Sequence, residues 1–166
     1  MFQIGDQVVY GIHGVCCIQD LEERTVDRRK IKHFALEPLD QPGARFYVPA
    51  ENPAALAKLR HLISRADLDV LLSSEEIRQS SWIADENQRK QRYRELINSG
   101  DRVELLRVIN SLHQHKTEQT AAGRKFHLCD ENFLRDAQKL LDAEFSLVLD
   151  IHPAEVGEYI LSRMNQ

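Results

Sequence analysis

Few side chains in this sequence are spaced for catalysis. His113 and His115 stand two apart in a stretch with helical spacing, so they point to different faces and make a poor ligand pair. Cys16 and Cys17 are adjacent in a β-prone run and also face opposite ways, unlike the spaced thiols of a zinc site. His13 is read as a hydrogen-bonding residue of the bend before Gly14 rather than as a metal ligand with His33 and the thiols. Catalysis would need an activated nucleophile, paired carboxylates in a cleft or a phosphate-cradling loop, and no glycine-rich loop is present. Neither enzymatic activity, a cofactor nor a metal is expected.

Other candidates are cationic and aromatic. Arg89, Lys90, Arg92 and Arg94 form the densest basic cluster. Tyr93, Leu96 and Ile97 take the core side of that helix, so Arg89 and Arg92, with Lys90 beside them, are the ones that present to a phosphate strand. A solvated helix surface is the alternative. Arg124-Lys125 is a second basic pair, and Trp82 is the single tryptophan, in a polar setting. Net charge is −4, against a protein that lives by gripping nucleic acid, but its distribution is uneven. Residues 1–72 carry −1, residues 73–129 carry +2 and residues 130–166 carry −5, so phosphate contacts belong to the middle segment.

The elements that position these residues differ in the two halves. Residues 8–10, 15–18, 30–36 and 45–48 read as short strands separated by turn-rich or charged stretches, with Gly11 and Gly14 bracketing a bend. Asp40-Gln41-Pro42-Gly43 is a hairpin turn, and residues 21–32 fit a longer hairpin with its tip at Asp27-Arg28-Arg29. After Asn52-Pro53, a helix start, residues 54–62 and 67–72 read as short helices packing on the sheet. The serine-rich stretch 73–80 reads as a linker.

Beyond it the period is helical. Gly100 closes one helix, and Asp101 with Glu104 forms a capping box for the next, which buries Leu105, Val108, Ile109 and Leu112. The first of these helices starts either at Ser81 or at Asp85, where Gln88 completes a capping box and Trp82 is left just outside it. Residues 117–123 read as a loop, and Asp130 as the cap of a long helix. Its stripe is Leu134, Ala137, Leu141, Phe145 and Val148, widened by Phe133, Leu140 and Leu147. Pro153 opens a last helix with Val156, Tyr159, Ile160 and Met164 inward. No apolar run approaches the ~20 residues of a membrane span, no signal peptide is visible, and a cytoplasmic location is expected. The fold class is α+β: a small antiparallel β-barrel over residues 1–72, then a compact all-α domain over residues 81–166.

An ordered set of short matches covers nearly the whole chain: Gly5-Asp6-x-Val8-Val9-Tyr10, His13-Gly14-Val15, Glu23-Arg24-Thr25, Tyr47-Val48-Pro49 with Glu51-Asn52, Arg60, Ser99-Gly100-Asp101, the helix around Leu105–Leu112, and the stretch Ala137–Leu149. In this the sequence resembles the CarD-like regulators of bacterial transcription. The resemblance implies a Tudor-like N-terminal barrel that docks on the lobe of the RNA polymerase β subunit, and a helical domain that reaches promoter DNA and favours the open complex. Arg24 matches a polymerase-contacting position. Where relatives often carry a basic residue before Val48-Pro49, this chain has Tyr47, and Arg45 lies two residues earlier on the same strand face. Trp82 is implied as a wedge in the DNA minor groove; beside it, Arg89, Lys90, Arg92, Arg124 and Lys125 are the phosphate contacts that the charge pattern itself offers.

Each role has a plainer counterpart. Arg24 can simply protect an exposed edge, and Trp82 can be a packing residue. Tyr10, Phe34, Phe46 and Tyr47 raise an aromatic cage for a cationic peptide, but Phe46 and Tyr47 face opposite ways. The remaining functional alternative is a polymerase-binding adaptor that never touches DNA. No small-molecule substrate is expected.

Overall fold

The computed structural model describes residues 1–164, which pack as two units divided after Leu62. The first holds β1 (Gln7–Tyr10), β2 (Val15–Val26), β3 (Arg29–Pro38), β4 (Phe46–Pro49), the one-turn helix α1 (Pro53–Leu56) and β5 (Leu59–His61). These strands form one antiparallel sheet in the order β4-β3-β2-β1-β5. Val8, Cys16, Ile18, Leu36, Val48 and Leu59 are its buried core, with Phe2, Tyr10, Phe34, Phe46 and Leu56 packed around them. Burial pushes the Cys16 thiol up to about 11, with Asp40 and Cys17 adding to it, so this sulfur behaves as an apolar core group.

Turn chemistry follows the sequence closely. Gly11 and Gly14 both take positive φ, +48° and +74°, at the two ends of the bend between β1 and β2. The long hairpin turns on Asp27 and Arg28, both at positive φ (51° and 66°), the mirror-type two-residue turn that matches strand twist. Asn52 caps α1, its Oδ1 accepting from the Ala54 and Ala55 amides at 3.0 and 3.3 Å.

The helix expected over residues 54–62 is corrected here. It stops after one turn, and Leu59–His61 becomes the outer strand beside β1, with Tyr10 opposite Leu59 and Val8 opposite His61. The pairing supplies partners for the free edge of β1 and brings Leu59, 5% exposed, into the sheet core.

In the second unit, α2 (Arg65–Leu72) is capped by Ser64 and buries Leu68 and Leu72 in the helical core, not on the sheet as expected. Residues 73–80 are not a free linker either. Glu76–Arg78 forms a 3₁₀ turn, Ile77 is wholly buried, and Arg107 donates to the Glu76 carbonyl and to Gln79 Oε1 at 2.9 and 3.0 Å. Next come α3 (Glu86–Ser99), α4 (Arg102–Ala121), α5 (Leu128–Leu149) and α6 (Pro153–Met164). Asp85 Oδ1 accepts from the Gln88 amide at 2.9 Å and Asp101 Oδ1 from the Glu104 amide at 3.0 Å, with Gly100 at φ +66° between the two helices. The caps therefore lie where the sequence puts them.

Two boundaries differ. α4 runs through Ala121, across the stretch expected as a loop, and α5 begins at Leu128, so Asp130 is inside the helix rather than its cap. On α5, Phe133, Leu134, Ala137, Leu141, Phe145 and Leu149 are buried, whereas Leu147 is 42% exposed and lies off the stripe. Glu144, 1% exposed, receives Arg102 through both nitrogens of a fork and the Ile63 amide at 2.9 Å, tying α4, α5 and the start of the unit together. No helix among the described residues is long and apolar enough to cross a membrane.

Candidate functional site

The position of Arg24 is set by one extra residue in β2. Up to Ile18, paired with Leu36, even-numbered residues of the strand face the core. The register then shifts at a bulge, and Asp20 pairs with Ala35, Glu22 with His33 and Arg24 with Ile31. Gln19 is the unpaired residue, and it moves Asp20, Glu22 and Arg24 to the face opposite Ile18. Tyr47 pairs with Ala35 from the other side, so it shares that face.

The three residues expected to dock a partner are brought together there. The exposed Arg24 guanidinium lies over the Tyr47 ring, 3.6 Å from its centroid, reaching diagonally across β3 from the row of Ile31 to the row of Ala35. Arg45 Nη1 sits 3.8 Å from Glu22 Oε1, a partly exposed pair. Glu22 is the member of this group that sequence reasoning missed. Its signal was alternation, since it stands two residues before Arg24 on the same strand. An exposed cation–π contact contributes only about 0.5–1 kcal/mol, and an exposed ion pair a similar or smaller amount. The face is ordered without being committed to the fold, so its guanidinium, phenol and carboxylate remain open to a partner.

The aromatic cage does not form. Phe46 and Tyr10 meet edge to face at 5.7 Å, and His13 packs on both, 4.3 and 5.1 Å away. Those ring contacts, rather than the expected hydrogen bond, hold His13. Phe34 packs against the sheet core.

The helical cations divide sharply. Arg89, expected at a phosphate strand, is 3% exposed. Its Nε and Nη2 donate to Asp130 Oδ1 and Oδ2 at 2.9 and 3.0 Å, and Nη1 donates to the Ile83 carbonyl at 3.0 Å. Burial works against this guanidinium, and the Asp130 hydrogen bonds and charge outweigh it, so its pKa rises. The phosphate role for Arg89 is thus withdrawn: a fully buried carboxylate holds its fork. Asp130, 41 residues away, was hidden from local pattern, but Arg89 stands four before Tyr93 and so lies on the core stripe of α3.

Lys90 and Arg92 stay at the surface in pairs with Glu86 and Glu95, both at 3.2 Å. Arg124 and Lys125 are exposed, with no ion pair among the described residues. Trp82 is half-buried against the helical core, outside α3 as the Asp85 cap requires. His115 stacks on it, centroids 3.8 Å apart and planes at 22°, and the Arg89 guanidinium lies 4.4 Å from its centroid. His115 is a second residue that sequence reasoning missed as part of this site. His113, on the neighbouring face of α4, has its pKa lowered by burial and by Lys116.

The sheet thus presents a cation–aromatic pair and a partly exposed ion pair on one face. Comparison with known proteins names the class. Residues 2–63 match the CarD-like/TRCF RID domain, and residues 68–161 match the CarD C-terminal domain. The chain is also 23% identical to a Bacillus subtilis (strain 168) protein named "Putative transcription factor YdeB", over 96% of this chain and 99% of that one. The chain belongs to the CarD-like family of transcription regulators.

Proposed function

We propose that this regulator is not an enzyme and acts by docking the Arg24–Tyr47 face of its sheet on the β subunit of RNA polymerase. The observation that carries the reading is the convergence of Arg24, Tyr47, Arg45 and Glu22 on one exposed sheet face. A flat guanidinium laid on a phenol is a pre-ordered, low-entropy contact of the kind that dominates binding energy when a partner covers it. The match of residues 2–63 to a domain type named for polymerase interaction supports the same partner.

The helical unit then approaches promoter DNA and favours the open complex. Lys90, Arg92, Arg124 and Lys125 supply backbone contacts, and Trp82 an apolar edge for the minor groove. Four cations without a continuous stripe give weak, salt-sensitive and largely sequence-independent binding. One observation favours a second reading, an adaptor that binds polymerase alone: the most central of the expected phosphate contacts, Arg89, is held by Asp130.

Two measurements separate these. Titrating the full chain with a purified fragment of the β lobe should give micromolar or tighter affinity, and no binding by the folded chain overturns the docking proposal. Retention on promoter DNA at low salt, lost as salt rises, supports DNA contact. Absence of retention even at low salt leaves the adaptor.

A further inference from the structure

The segment that carries Trp82 has no regular secondary structure, yet it is pinned on both sides of the indole. The Ser81 amide donates to Ser111 Oγ at 2.9 Å, and the Ser81 carbonyl accepts from the buried Tyr93 hydroxyl at 3.0 Å. The Ile83 carbonyl accepts from Arg89, itself locked on Asp130. The ring itself meets the Arg89 guanidinium and the His115 imidazole. His115 is oriented in turn by Gln119, with Nε2 atoms 3.2 Å apart, one turn further along α4.

Half-burial is ordinary for a side chain as large as tryptophan, so what sets Trp82 apart is the fixing of its backbone and of its ring plane. Buried groups fix the first, and a half-buried imidazole fixes the second. We infer that His115, backed by the Arg89–Asp130 pair, is a positioning residue that pre-sets the Trp82 indole for its contact with DNA. The inference rests on the reading of Trp82 as the DNA-facing residue. Its physical content is preorganisation: a ring already held in one orientation loses little freedom when a base step closes on it.

Arg89 and Asp130 are poor places to test this, because removing either strands a buried charge. His115 is half-buried between Trp82 and Phe126, its replacement strands no buried charge, and the chain's single tryptophan reports its own mobility by fluorescence. In the full chain, His115→Ala should lower the fluorescence anisotropy of Trp82 without changing affinity for the polymerase. It should shorten the open-complex lifetime roughly two- to tenfold, the value of one immobilised side chain. His115→Phe, which keeps a flat ring on the indole, should restore both. A merely structural role would move thermal stability and not this pair of readouts. If Trp82→Ala shortens the lifetime and His115→Ala does not, the positioning role is overturned while the DNA reading stands. If Trp82→Ala itself leaves the lifetime unchanged, the DNA reading fails and the inference fails with it.

Discussion

The same kind of contact, an arginine laid on an aromatic ring, has opposite consequences at Arg24 on the sheet and at Arg89 in the helical unit. On the sheet, Arg24 covers Tyr47 at 3.6 Å, and its guanidinium is exposed. In the helical unit, Arg89 lies 4.4 Å from the Trp82 centroid, but its fork is filled by Asp130, which is 0% exposed. What separates them is the carboxylate. A buried acid converts an arginine into part of the fold, whereas one left with only a ring beneath it stays available to a partner. Availability, not charge, marks an interface.

The contrast can be broken most severely at Asp130. Asp130→Ala leaves a buried, unpaired guanidinium and should cost about 3–5 kcal/mol of stability, read as a lower urea midpoint followed by far-ultraviolet circular dichroism. A loss below about 1 kcal/mol would mean that Arg89 is not committed to the fold. Arg24→Ala should do the reverse. Its cost in stability should stay within about 1 kcal/mol, while affinity for the β-lobe fragment falls by roughly tenfold or more. Arg24→Lys sharpens the point, since it keeps the charge and loses the planar group that stacks on Tyr47, and its affinity should fall between the two. The smallest effect is at the exposed cations. Replacing Arg124 and Lys125 together by alanine should reduce the slope of log affinity against log salt for promoter DNA by about two if each neutralises one phosphate.

Much of this architecture is legible in the sequence because it is locally encoded. Asp85, Gly100 and Asp101 act within one helical turn of themselves, and Asp27-Arg28 fixes a two-residue turn, so boundaries and hairpin fall where pattern puts them. What escaped depends on contacts distant in sequence. Leu59–His61 is three residues long and becomes a strand only because β1 offers an edge. Asp130 looks like a helix cap until Arg89 arrives from another helix. The register shift at Gln19 is set by pairing with β3 and has no sequence signal, though it decides which face Arg24 occupies. Arg24, Arg45 and Tyr47 were legible as candidates from the resemblance and from strand alternation. That the bulge brings Arg24 and Glu22 to the face of Arg45 and Tyr47 was not.

The measurement that bears most directly on the account is the affinity of the full chain for the β-lobe fragment, with and without Arg24→Glu. Both proteins should show the same circular dichroism and melting behaviour, since this side chain lies outside the core. The account predicts that charge reversal abolishes binding, with a loss of more than about thirtyfold. Equal affinity in two equally folded chains would contradict it and place the docking surface elsewhere.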